Sequence, residues 1–239
     1  EFTSESEGTT IELAEKATEP STIEPNKTQR IILGVLLGLG LAYGYLYLIN
    51  MMDQSIKSVE QAEKVLQLPV LAAVPVSEIN GKPTGSRLVM IESPNSTCSE
   101  AFRSLRVNIE SMTRKKSHKV VLFTSSIPSE GKTFTSINYA SSLAQQGHRT
   151  LLIDMDLRKP AVGPEFKLGD EYVGVSDLLQ SEDKLKQFPD LAIYEAAEKL
   201  FVLHGGSHIS NPSEHISGSA IEELILKARQ NFDRIVIDS

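Results

Sequence analysis

Cysteine is nearly absent: Cys98 is the single thiol in 239 residues, which excludes an intramolecular disulfide and a cysteine-based metal site. A basic excess is absent as well. Lys and Arg number 24 against 31 Asp and Glu, and the formal net charge is −7. Beyond the short run Arg114-Lys115-Lys116 no basic stripe stands out, so no nucleic-acid partner is expected. None of the five histidines has metal-ligand spacing, and none is assigned a role. The sequence also lacks an initiator Met and opens in polar residues, so it is expected to be a fragment, and the want of a signal peptide carries no weight. Finally, charge is missing altogether from Ile31 to Met52.

That charge-free stretch, IILGVLLGLGLAYGYLYLINMM, is long enough at 1.5 Å per residue to cross the hydrocarbon core of a bilayer. It is expected to be a transmembrane helix over 31–52, because its four glycines would be costly in a soluble core helix. Gly34 with Gly38, and Gly40 with Gly44, have the spacing that lets neighbouring helices approach closely. Tyr43, Tyr45 and Tyr47 suit an interfacial belt or helix packing equally. Before it, residues 1–30 are rich in Ser, Thr and Glu, with Pro20 and Pro25, and bury too little to offset their ordering entropy. They read as the polar tail of a missing extracytoplasmic domain, with 11–14 either its last strand or plain linker. After it, 53–67 has helical spacing, LPVLAAVPV at 68–76 reads as a buried strand, and 77–95 is loop-like. Residues 53–96 are therefore expected to link the membrane segment to a domain over 97–239.

The chemistry is concentrated in KVVLFTSSIPSEGKTFTSINYA, residues 119–140. A branched apolar strand runs into a small polar turn, then Gly131-Lys132-Thr133, then helical spacing: the order of a phosphate-binding P-loop. A tight loop turns successive backbone N–H groups and a helix N-terminus toward an anion, Lys132 reaches the β- and γ-phosphates, and the Thr133 hydroxyl meets Mg²⁺. One departure from G-x-x-x-x-G-K-[ST] is Ser126 in place of the first glycine. A second buried strand at 150–155 ends in Asp154 and Asp156 of a D-x-D-x-R pattern, and Arg234–Asp238 repeats the strand with a terminal aspartate. A helix over 97–112 presents Glu100, Arg103 and Arg106 as one charged stripe, suited to solvent or to a partner subunit. The P-loop helix should end near Gly147. Further expectations are a helix at 174–179, strands at 191–194 and 200–203, a loop at 205–214 and a helix at 216–230. Since ATP is cytoplasmic, the P-loop places this domain in the cytoplasm.

Together SSIPSEGKT, LLIDMDLRKP, RIVIDS and the upstream SEAFRSLRVNI resemble the bacterial tyrosine autokinases (BY-kinases) of capsule and exopolysaccharide synthesis, fused behind the membrane helix of a polysaccharide chain-length determinant. The resemblance implies an α/β P-loop NTPase with a mainly parallel central sheet flanked by helices, preceded by one transmembrane helix and C-terminally truncated. It implies ATP and Mg²⁺ as cofactors, with Ser126, Ser129, Glu130, Gly131, Lys132 and Thr133 binding ATP. Thr133, Asp154 and Asp238 would hold the metal, and Lys132, Asp154 and Asp156 would be catalytic. Glu100, Arg103 and Arg106 match the family's oligomerisation helix, which implies a homo-oligomeric ring with trans-phosphorylation. The implied setting is the bacterial inner membrane, with the polysaccharide polymerisation and export machinery and a cognate tyrosine phosphatase as partners. The family's tyrosine-rich tail is missing, so residues 1–239 are expected to autophosphorylate poorly. Two alternatives stand beside this: a ParA/MinD-like ATPase switch, whose signature lysine is replaced here by Ile127, and a non-catalytic ATP-binding scaffold.

Overall fold

The computed structural model describes residues 26–239 except 54, 57, 77, 80, 81, 84, 85, 114–118, 170, 191 and 208–217. The strand considered at 11–14, the basic run at 114–116 and most of the loop expected at 205–214 lie outside the described residues. The chain divides into two compact units, Glu1–Lys57 and Ser58–Ser239.

The first unit holds α1, Lys27–Met52, which is 26 residues long and about 39 Å at the helical rise. Its apolar side chains are exposed all round, and none of its residues is buried. Among the described residues it is the one helix long and apolar enough to cross a membrane.

The second unit begins with α2, Val59–Leu66, whose N-terminus is capped by the Ser58 hydroxyl accepting from the Gln61 N–H. Gln67, at φ 54°, ends it. The buried strand expected at 68–76 is not formed: this run joins no ladder among the described residues. Pro69 and Pro75 bracket it without N–H donors, and it instead lays Leu71, Ala72 and Val74 against the core while Asn108 Nδ2 holds the Leu71 carbonyl at 2.6 Å. A two-residue hairpin pair, β1 (Glu78–Ile79) and β2 (Lys82–Pro83), and a turn of helix, α3 (Val89–Glu92), break up the region read as loop. Then come α4 (Thr97–Thr113), β3 (Val120–Phe123), α5 (Lys132–Gln145), β4 (Thr150–Asp154), α6 (Val162–Glu165), α7 (Val175–Gln180) and α8 (Glu182–Lys186). The chain closes with β5 (Tyr194–Ala197), β6 (Leu200–Leu203), α9 (Ser219–Asn231) and β7 (Arg234–Asp238).

Five strands form one sheet in the order β3-β7-β4-β6-β5. The first four are parallel and β5 is antiparallel to β6. The strand expected at 191–194 is displaced to Tyr194–Ala197 because the turn at Glu198-Lys199, with Lys199 at φ 62°, pins the pairing to the residues directly before it. Alternation along the strands divides the core into two. Leu152, Val202 and Val236 face Phe102 of α4 and Ile137 and Leu143 of α5. Leu151, Ile153, Leu203 and Ile235 face Val175 and Leu178 of α7, Leu185 of α8 and Leu224 of α9. Helices thus cover both faces of a mostly parallel sheet, as its apolar strands require.

Buried Asn138 fastens α3 to α5: its Oδ1 accepts from the Met90 N–H at 2.9 Å, and its Nδ2 donates to the Arg87 and Phe134 carbonyls, each at 2.7 Å. Asn138→Leu keeps the volume and strands these groups, so urea denaturation should show a loss of about 2–4 kcal/mol.

Candidate nucleotide-binding site

Parallel pairing puts the C-terminal ends of β3, β7 and β4 side by side, with Phe123 opposite Asp238 and Asp238 opposite Asp154. The loop after β3 runs through Ser126 to Gly131 and feeds α5, whose first residues are Lys132 and Thr133. Gly131 sits at φ 89°, which an L side chain rarely adopts, and Ser129 at φ 68° takes up the same sense of curvature. The result is a tight loop opening onto a helix N-terminus.

Lys132, Thr133, Asp156 and Asp238 converge there. Lys132 Nζ lies 3.2 Å from Asp156 Oδ2 and 3.6 Å from Asp238 Oδ1. The Thr133 hydroxyl donates to Asp238 Oδ2 at 2.7 Å across 105 residues of sequence. Asp238 is fully buried, and its Oδ1 has no hydrogen-bond partner among the described residues. Desolvation pushes its pKa up, against the opposing pull of the Thr133 hydroxyl and the Lys132 ammonium. An orphaned buried carboxylate oxygen next to a threonine hydroxyl fits the oxygen shell of Mg²⁺, and the loop and lysine fit a phosphate chain.

Asp154 occupies a different position. Its carboxylate is buried, with Oδ1 accepting from the Asp156 N–H at 3.1 Å and Oδ2 from the N–H groups of Ala161 and Val162 at 3.0 and 2.9 Å. It therefore ties down the loop that carries Asp156. Burial, joined by the Asp238 charge, raises its pKa to about 6 against the lowering pull of the Val162, Asp156 and Ala161 N–H groups.

Of the remaining expected residues, Glu130 turns back onto its own loop, where Oε2 accepts from the Ser126 N–H at 3.0 Å and the Ile127 N–H at 3.3 Å. The α4 stripe has contacts inside the chain: Arg103 pairs with Glu100 and donates to the Pro94 carbonyl at 2.7 Å, and Arg106 Nη1 donates to the Ser142 carbonyl at 2.6 Å. Sequence reasoning passed over the end of β6. A Cβ on Gly205 would meet Pro160 at 2.7 Å, so only glycine lets this strand end close on the Asp156 loop. His204, buried beside it, accepts the Gly206 N–H on Nδ1 at 3.2 Å, which leaves Nε2 to donate to the Tyr172 carbonyl at 3.0 Å. Its one signal in the sequence was its place after a buried strand at the same sheet edge as the aspartates.

The CobQ/CobB/MinD/ParA nucleotide binding domain matches residues 121–227. "Tyrosine-protein kinase ptk" of Acinetobacter johnsonii is 30% identical over 237 residues, which cover 96% of this chain and 32% of that protein. "Tyrosine-protein kinase YwqD" of Bacillus subtilis is 37% identical over 163 residues, covering 66% of this chain and 67% of the relative. The chain thus spans about a third of the first protein's length and about two thirds of the second's. The solved kinase domain of Escherichia coli tyrosine kinase ETK superposes with a TM-score of 0.67 at 25% identity, over 77% of this chain and 72% of that one. The architecture is that of a P-loop NTPase.

Proposed function

Because this chain belongs to the bacterial tyrosine-kinase family, we propose that its second compact unit transfers the γ-phosphoryl group of ATP to a tyrosine hydroxyl. The observation that carries the reading is the convergence of Lys132, Thr133, Asp156 and Asp238 at the C-terminal edge of the sheet, around a P-loop. Mg-ATP, when bound, supplies the phosphoryl group and neutralises part of its charge. Lys132 leaves its two carboxylates for the β- and γ-phosphate oxygens. Thr133 and Asp238 would hold Mg²⁺. The Asp156 carboxylate, released from Lys132, accepts the phenolic proton. Asp154 works through Asp156 by holding the loop from Asp156 to Val162 in place. Phosphoryl transfer needs little covalent help, so positioning and charge account for most of the rate.

The setting is inferred from the same membership. Residues 31–52 anchor the chain in the bacterial inner membrane with the kinase unit in the cytoplasm, and its activity regulates polymerisation or export of a capsular or exopolysaccharide. Polysaccharide export components and a tyrosine phosphatase are its partners in this reading. The α4 stripe joins neighbouring copies for trans-phosphorylation chiefly through Glu100, which is exposed, since Arg106 is already engaged by Ser142.

The test is Asp156→Asn. Phosphorylation of an added tyrosine peptide with Mg-ATP should fall at least a hundredfold while calorimetric Mg-ATP affinity stays within about threefold, since a general base contributes roughly 10²–10⁴ in rate. Transfer at the wild-type rate would remove Asp156 from the chemistry. Nucleotide binding without any phosphorylation of that peptide by the wild-type protein would favour the ATPase switch or the scaffold.

A further inference from the structure

Resting on the reading of this loop as a phosphate cradle, we propose that Glu130 is the loop's resident anion: its carboxylate holds the amides of Ser126 and Ile127 until the phosphate chain displaces it, and it thereby sets how selectively the site admits phosphates. Two consecutive N–H groups aimed at one oxygen are what an anion requires of a loop, and here that oxygen is Glu130 Oε2, at 3.0 and 3.3 Å. The positive φ angles of Ser129 and Gly131, on either side of Glu130, bend the chain so that its side chain reaches back three and four residues. The other phosphate-binding groups are held in the same way. Lys132 lies between Asp156 and Asp238, and the Thr133 hydroxyl is bound to Asp238.

Glu130 differs from those aspartates in one respect. Asp238 is buried and Asp156 half-buried, each placed by the sheet and its loops, whereas Glu130 is exposed on the loop itself and makes no further hydrogen bond or ion pair among the described residues. It is free to leave. A phosphate oxygen and a carboxylate oxygen cannot share the same two amides, so an entering ligand must exchange with it. An anion with no other handle, such as inorganic phosphate, gains too little to do so. A nucleoside triphosphate also recruits Lys132 and Thr133, and those contacts drive the exchange. Removing the negative charge therefore strengthens binding, more at low ionic strength than at high, because the repulsion is near the surface and screened.

The experiment compares the 1–239 chain in detergent with its Glu130→Gln and Glu130→Ala variants. Gln keeps an oxygen acceptor and removes only the charge. Mg-ATP affinity by calorimetry should rise about three- to tenfold in both variants at low salt, with a smaller gain at high salt. Inorganic phosphate, silent against wild type, should compete measurably with Mg-ATP in the Ala variant. Without any nucleotide, amide exchange in the peptide holding Ser126 and Ile127 should quicken in Glu130→Ala. Unchanged exchange overturns the proposal, because the contact is then not made in solution. Equal or weaker Mg-ATP binding in both variants also overturns it and makes Glu130 a brace for the loop. If none of the three chains binds Mg-ATP, the nucleotide reading itself fails and takes the proposal with it.

Discussion

Lys132→Met is expected to lower phosphotyrosine formation on an added tyrosine peptide from Mg-ATP at least a hundredfold, with the secondary structure retained by far-UV circular dichroism. Lys132 is the cation placed at the head of α5, facing the two carboxylates that flank the phosphate site. In the proposed transfer step it would meet charge developing on phosphate oxygens in a half-enclosed setting, where a preorganised donor is worth about 3–4 kcal/mol. The substitution also leaves buried Asp238 without the ammonium 3.6 Å away. Breaking such a pair costs about 3–5 kcal/mol, so a lowered urea midpoint should accompany the loss of activity. That cost should shrink in acid, since burial already raises the Asp238 pKa and protonation removes the unpaired charge. Undiminished phosphotyrosine in a folded variant would end the kinase assignment.

Asp154→Asn should separate stability from activity. Burial raises the folded-state pKa of Asp154 from 3.8 to about 6. A carboxyl whose folded pKa lies above its unfolded value stabilises the fold below the unfolded pKa and loses that contribution as pH rises through the folded one. Between pH 3 and pH 7 the wild-type protein therefore gives up about 3 kcal/mol at this group, at 1.36 kcal/mol per pKa unit. Asn does not titrate. Denaturation of the two proteins across this range should move the difference between them by about 3 kcal/mol in the variant's favour as pH rises. Activity should go the other way. An amide nitrogen in place of one carboxylate oxygen faces the N–H groups of Asp156, Ala161 or Val162, none of which it can accept, and the Asp156 loop comes loose. At pH 7.5 transfer should fall at least tenfold with Mg-ATP affinity nearly unchanged. A pH-independent stability difference would show that Asp154 does not titrate in this range.

Local features were legible wherever one residue run settles its own environment. Val120–Phe123, Thr150–Asp154 and Arg234–Asp238 are apolar runs bounded by polar residues, and such runs form strands in almost any fold that buries them. The loop before Lys132 was legible because glycine, lysine and threonine at that spacing serve backbone geometry and charge directly. The absence of charge from 31 to 52 was enough for an exposed apolar helix. The run 68–76 misled because its apolar composition suits a strand, while its two prolines and its docking beneath Asn108 keep it out of any ladder.

What the residues could not settle is which of them meet. Strand order brings Asp238 to Thr133, and no spacing rule spans those 105 residues. The pattern D-x-D presents Asp154 and Asp156 as equals. Only the sheet separates them, because β4 is central and its last side chain, Asp154, is buried against backbone amides, while the next aspartate emerges beside Lys132. Likewise the α4 stripe reads as uniformly available, and packing against α5 decides that Arg106 is engaged by Ser142. Composition and period act over a few residues and determine elements. Partners are determined by burial and by the desolvation cost of every polar group left unmatched, which exist only once the layers have closed.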